Sequence, residues 1–257
     1  MWWRESLAYP MTHSVHPYPA MPLLKDPPSW NGAAQAAGNA EHVGHSVLGN
    51  AVNLYHPREA NLLVMGGVHG DESEGIFLAH LLLGRTDIPV LPCANPDGAF
   101  LRQRWNARNV DLNRNLPSHD WQPTPRNPRY PPGPEPASEP ETQAFQAALA
   151  RVRPSTVLSL HSFRTSFVEI ERPPETTPRV INEAVDTFVR AVGIERHESI
   201  GYPTPGALGS FAQQNGLLAL TYELERGASH GELYEILPHL LRLLEALEQH
   251  RFVPPEG

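Results

Sequence analysis

Apolar and polar positions alternate along the chain in blocks that predict a layered α/β protein. Short apolar runs at 61–66 (NLLVMG), 88–94 (IPVLPCA), 155–160 (STVLSL) and 217–223 (LLALTYE) have the length and composition of buried strands. Segments with helical spacing lie between them, at 73–83, at 178–192 and, with a strong apolar stripe, at 233–247. A further helix is expected where Ser138-x-x-Glu141 forms a capping-box pattern, running through Ala150 and stopped ahead of Pro154. Alternating βα units imply a single-domain α/β fold, with a mixed, mostly parallel twisted sheet and helices on both faces.

Two stretches break the alternation. Residues 1–40 carry Pro10, Pro17, Pro19, Pro22, Pro27 and Pro28 and then a Gly/Ala-rich segment, so an N-terminal arm is expected ahead of a catalytic domain over 41–257. Residues 117–140 are again rich in proline, which excludes regular helix or central strand there. A loop of that length inside a compact domain usually serves function or is disordered.

Composition narrows the classes of partner. The chain has 257 residues, 20 basic and 28 acidic, for a net charge of −8, and no basic–aromatic stripe that would suit nucleic acid. Cys93 is its one cysteine, which excludes an internal disulfide and a Cys-rich zinc site. No apolar run approaches the roughly 18 residues of a membrane span. The segment from Met1 to Ser6 shows no basic region leading into an apolar core, so a cytoplasmic protein is expected.

In sheets of this kind ligands gather outside the carboxyl ends of the strands, and the polar motifs fall there. His69-Gly70-Asp71-Glu72 follows the first apolar strand, with Gly66, Gly67 and Gly70 permitting a tight turn. His161 ends the strand at 155–160. Together His69, Glu72 and His161 form a His₂Glu set with one open position, the ligand pattern of catalytic zinc. Alone, HxxE reads as a polar strand-to-helix loop and His161 as an edge histidine. Asn95-Pro-Asp-Gly98 has the composition of a turn. It precedes Arg104-x-Asn106 and Asp111-Leu-Asn-Arg-Asn115. Asp111 can orient a metal-bound histidine, and Arg104 and Arg114 can hold an oxyanion and a carboxylate. Tyr222-Glu223-Leu224-Glu225 ends the last strand; a general base could be either glutamate, since alternation points both the same way.

In order and kind, these motifs resemble the zinc carboxypeptidases over about residues 42–250. The resemblance implies a zinc-carboxypeptidase-like fold and one zinc ion held by His69, Glu72 and His161. It makes Glu223, and not Glu225, the catalytic base, with Arg104 at the oxyanion. It gives the substrate's terminal carboxylate to Asn113 and Arg114, and Asp111 supports His69. Tyr202 takes the place of a tyrosine that closes over substrate. Asn109 stands where relatives usually have glycine, and asparagine also tolerates a left-handed backbone. The stretches 44–49, 138–143 and 199–206 are similar to the murein peptide amidases. That likeness implies cleavage of the γ-D-Glu–meso-diaminopimelate bond in cell-wall recycling. Gly209 then lies at the floor of the leaving-residue pocket, where a small residue leaves room for a long polar side chain. Other readings are a carboxypeptidase for other peptides, an N-acyl amino acid deacylase and a non-catalytic zinc-dependent peptide binder. In each case the partner is a small peptide or acyl amino acid with a free carboxylate, with no nucleic acid and no membrane.

Overall fold

The computed structural model describes residues 39–171, 176–199 and 201–254. The expected arm falls outside them except for Asn39 and Ala40. Among the described residues, eight strands form one sheet in the order β1-β2-β4-β3-β5-β8-β6-β7. They are β1 (Ala40–His45), β2 (Ala51–Tyr55), β3 (Leu62–Gly66), β4 (Val90–Leu91), β5 (Thr156–Phe163), β6 (Phe167–Ile170), β7 (Glu195–His197) and β8 (Leu218–Glu225). The central strands β4, β3, β5 and β8 are parallel; β2 runs antiparallel to β1 and β4, and β6 runs antiparallel to β8 but parallel to β7. The mixed, mostly parallel sheet expected from the alternation is therefore present.

Helices cover both faces. They are α1 (Ser73–Leu82), α2 (Pro96–Leu101), α3 (Pro140–Val152), α4 (Arg179–Val192), α5 (Leu208–Gln214) and α6 (His230–Gln249), with a 3-10 turn at Leu112–Arg114. Strand residues alternate between two cores, as period-2 geometry requires. Leu62 and Val64 pack with Phe77, Ile181 and Leu240 of α1, α4 and α6. Leu63 and Met65 pack with Phe145 and Phe211 of α3 and α5.

Three local expectations need correction. The apolar run 88–94 contributes strand only at Val90–Leu91, because Pro89 and Pro92 lack the amide donors of a ladder. The Asn95-Pro-Asp-Gly98 segment opens a short helix: Pro96 sits in its first turn and Asn95 Oδ1 accepts from Gly98 N at 2.9 Å. Helix α3 has no capping box. Its N-cap is Glu139, with Pro140 in the first turn; Ser138 Oγ donates to Glu139 and Glu141 accepts from Val47 N. A true capping box, Ser229 with Glu232, starts α6 instead. The proline-rich stretch is irregular from 117 to 139, as expected.

The approach of α1 to β5 sets the position of the site. Gly75 lies against the end of β5, where a Cβ would stand 2.5 Å from the Leu160 carbonyl oxygen and 3.4 Å from His161 N. A Gly75→Ala substitution must push helix and strand apart. The expected cost is about 2 kcal/mol, seen as a fall in Tm of about 4–8 °C by differential scanning calorimetry. An unchanged Tm would show that the contact is slack.

Candidate active site

His69 leaves the end of β3, Glu72 occupies the N-cap position of α1, and His161 lies near the end of β5. Glu72 makes no cap hydrogen bond. Its carboxylate turns instead to the histidines, with Oε1 2.8 Å from His69 Nδ1 and Oε2 2.8 Å from His161 Nδ1. The two Nδ1 atoms are 3.1 Å apart. One ligand atom from each of the three buried residues lies within 4.8 Å of the others.

The far side of each imidazole has a partner. Asp111 Oδ1 is 3.2 Å from His69 Nε2, and Ser159 Oγ is 2.9 Å from His161 Nε2. Asp111 is fully buried; burial alone would raise its carboxyl, but Arg104 and then His69 hold it well below the usual carboxylate range. An ionised Asp111 keeps the proton on Nε2, which leaves His69 Nδ1 as a bare lone pair facing the cluster. Lone pairs converging with a carboxylate in a buried space repel one another, and a cation relieves that repulsion. The donor set, two imidazoles and a carboxylate, suits zinc.

Glu223 stands beside this cluster because β5 and β8 pair in register, with His161 opposite Glu223. Side chains at paired positions share a face. Its Oε2 is buried without a hydrogen-bond partner, and burial pushes its carboxyl up to about 7, with Glu72 adding and His161 and Arg104 opposing. Glu225, two residues on, is exposed. Arg104 Nε donates to Asp111 Oδ2 at 2.9 Å, and its Nη1 lies 3.5 Å from Glu72 Oε1. Asn113 Oδ1 accepts from Leu208 N at 3.0 Å, which ties the DLNRN segment to the start of α5.

A cavity of about 1070 Å³ joins these groups. Every site residue singled out from the sequence lines it except Asp111, which lies behind His69. Tyr202 is half-exposed at its edge. Asn109 adopts φ 60°, the left-handed conformation its substitution for glycine calls for. The proline-rich stretch supplies a wall of the cavity, including Tyr130, whose ring lies 5.0 Å from the Arg104 guanidinium carbon and 5.1 Å from that of Arg114. Nothing in the sequence pattern singled out Tyr130. Arg226, whose Nη1 is 3.3 Å from Asp71, and the acidic residues Glu169 and Glu171 also escaped notice.

A cation-ready histidine–carboxylate cluster at the edge of a parallel sheet, open to a cavity that also holds arginines and a buried carboxylate, is the arrangement of a metal-dependent hydrolase. Residues 78–238 match the profile of the zinc carboxypeptidase family. The chain is 33% identical over 204 residues to a murein peptide amidase A of Escherichia coli, covering 71% of this chain and 80% of that one. It is 28% identical over 203 residues to a murein peptide amidase A of Vibrio campbellii, covering 70% and 77%. Its fold matches the crystal structure of the murein-tripeptide amidase of Escherichia coli with a TM-score of 0.66 and 28% identity over 81% of this chain and 95% of that one. Bovine thrombin-activatable fibrinolysis inhibitor shares the fold at a TM-score of 0.66 and 17% identity, covering 87% of this chain and 94% of that one. The chain belongs to the zinc carboxypeptidase family and is a hydrolytic enzyme. Among the described residues no helix is long and apolar enough to cross a membrane.

The histidine–carboxylate geometry carries a metal-binding prediction. Elemental analysis of zinc-loaded protein should give one zinc per chain, and chelation should lower Tm. Asp111→Asn should weaken zinc binding about 10- to 100-fold in a competitive chelator titration. Wild-type affinity in that variant would contradict the role given to Asp111.

Proposed function

We propose that this enzyme is a zinc-dependent amidase of murein peptides that cleaves the γ-D-Glu–meso-diaminopimelate bond and releases diaminopimelate. The observation that carries this reading is one cavity holding both the His69–Glu72–His161 cluster and the Arg104–Arg114 pair. The first group suits an electrophilic metal, the second a substrate with a free carboxylate. The murein peptide amidases among its relatives point to the substrate. On this reading the enzyme takes one zinc ion and works in the cytoplasm on small peptides recycled from the cell wall.

His69, Glu72 and His161 would hold the zinc ion, which would acidify a water and polarise the scissile carbonyl. Glu223 takes a proton from the attacking water; a carboxyl held near 7 by burial is matched to that exchange. As the water oxygen bonds to the carbonyl carbon, Arg104 offers its guanidinium to the developing oxyanion. Asn113 and Arg114 hold the α-carboxylate of the leaving residue and fix the scissile bond over Glu223. Glu223 then returns its proton to the leaving nitrogen as the C–N bond breaks, and free diaminopimelate and the shortened peptide remain. Tyr202, at the edge of the cavity, covers the bound residue.

The test is hydrolysis of L-Ala-γ-D-Glu-meso-diaminopimelate by zinc-loaded protein, with C-terminal L-amino-acid peptides and N-acyl amino acids alongside. Free diaminopimelate is expected from wild type. Glu223→Gln should keep its zinc and lose at least about 100-fold in turnover. A Glu223→Gln rate close to wild type would remove Glu223 from the mechanism. Cleavage elsewhere in the panel with silence on the tripeptide would overturn the substrate and keep the chemistry.

A further inference from the structure

The two guanidiniums of the cavity differ in their partners. Arg104 has counter-ions: its Nε donates to Asp111 Oδ2 at 2.9 Å, and its Nη1 lies 3.5 Å from Glu72 Oε1. Arg114 is only 7% exposed, and among the described residues it makes no ion pair. Its Nη1 donates to the carbonyl oxygen of Asn113. Burial pulls Arg114 below its ordinary value; Asp111 opposes the fall and Arg104 adds to it. A buried cation in that position is costly unless some other group compensates it.

The Tyr130 ring is that group. Its centroid lies 5.1 Å from the Arg114 guanidinium carbon and 5.0 Å from that of Arg104. Both distances fall within the roughly 6 Å over which an aromatic face attracts a cation. One half-buried ring on the cavity wall thus attracts two like charges that repel each other.

The strap that carries the ring is fastened on both sides of it. Trp105 Nε1 donates to Arg129 O at 2.7 Å, Asp111 N to Pro131 O at 2.8 Å, and Asn115 Nδ2 to Pro132 O at 2.8 Å. Trp105 adjoins Arg104, Asn115 adjoins Arg114, and Asp111 backs His69. Pro131 and Pro132 restrict φ directly after the ring. The same segments that carry the site's charges therefore place Tyr130 against them.

We propose that Tyr130 is a positioning residue for carboxylate recognition, its ring holding the Arg114 guanidinium beside Arg104 before the substrate's free carboxylate arrives. This rests on the reading that Arg114 takes that carboxylate. The substrate then meets a cation already ordered and without a competing counter-ion, so less side-chain freedom is lost on binding. Without the ring, Arg114 is free to turn from Arg104 towards an acidic group of the cavity such as Glu171.

The experiment measures kcat and KM for zinc-loaded wild type, Tyr130→Phe and Tyr130→Leu on two substrates. One is L-Ala-γ-D-Glu-meso-diaminopimelate; the other has the carboxylate beside the scissile bond replaced by a carboxamide. Wild type should favour the carboxylate, and Tyr130→Phe, which keeps the ring, should retain that ratio of kcat/KM. In Tyr130→Leu the ratio should fall about 5- to 30-fold, mainly through a higher KM for the carboxylate substrate. Zinc content and Tm are measured on each protein, and Tyr130→Met serves in place of Tyr130→Leu if the latter does not fold. A general loss of structure lowers both rates together and leaves the ratio alone. An unchanged ratio in Tyr130→Leu overturns the proposal, and so does an equal fall in Tyr130→Phe. If the tripeptide is not cleaved while a C-terminal L-amino-acid peptide is, the amidase reading fails. The same ratio, taken on that peptide and its C-terminal amide, then decides the role of Tyr130.

Discussion

Glu72 is buried, and its two carboxylate oxygens each meet a histidine Nδ1 at 2.8 Å while those nitrogens face each other at 3.1 Å. Concentrating these donors in a dry space is unfavourable unless positive charge joins them, since removing an ion from water costs several kcal/mol. Part of that charge is built in: Arg104 Nη1 and Arg226 Nη2 lie 3.5 and 3.8 Å from Glu72 Oε1. A divalent cation would supply the rest. The architecture around the cluster can be understood as the means of holding it.

Three elements must meet for that. Strand β3 delivers His69, the start of α1 delivers Glu72, and β5 delivers His161. Adjacent parallel strands bring the first and third together, and Gly75 lets the helix come against the strand end. Asp111 belongs to a separate segment, anchored by its amide donating to Pro131 O in the proline-rich stretch. That stretch also sends Tyr130 between Arg104 and Arg114. The wall of the cavity and the orientation of the metal cluster are therefore coupled through one irregular loop. The Asn95–Gly98 segment serves a similar purpose on the other side. Asp97 accepts from Ser46, Leu48 and Asn50 and so fastens the β1–β2 turn to the core.

The parallel centre of the sheet was legible because β3, β5 and β8 are buried on both faces and read as continuous apolar runs. The convergence of His69, Glu72 and His161 was legible because these residues sit at strand and helix boundaries within short motifs, and Asn109 betrayed its left-handed backbone by its type. The edge strands left no comparable trace. In β1 the residues AEHVGH are partly or fully exposed, and β7 is three residues long. Their strand character comes from neighbours distant in sequence, not from local pattern. The same reason hides Glu171. It faces the site only because β6 pairs with β8, and its meeting with Gly209 joins positions 38 apart in the chain. The alternation of Glu169 and Glu171 was the one available signal, and it carries no meaning until the pairing is known. The misplaced capping box at Ser138 shows the opposite failure. A local motif was present, but Asn115 and Val47 bind those side chains instead.

A cation is expected to complete the His69–Glu72–His161 cluster. X-ray diffraction from crystals of the zinc-loaded protein, with anomalous data at the zinc edge, tests it most directly. A single strong anomalous peak is expected within about 2.0–2.2 Å of His69 Nδ1, His161 Nδ1 and a Glu72 carboxylate oxygen. A peak on Glu169 and Glu171 instead, or none at the cluster in zinc-loaded protein, would contradict it.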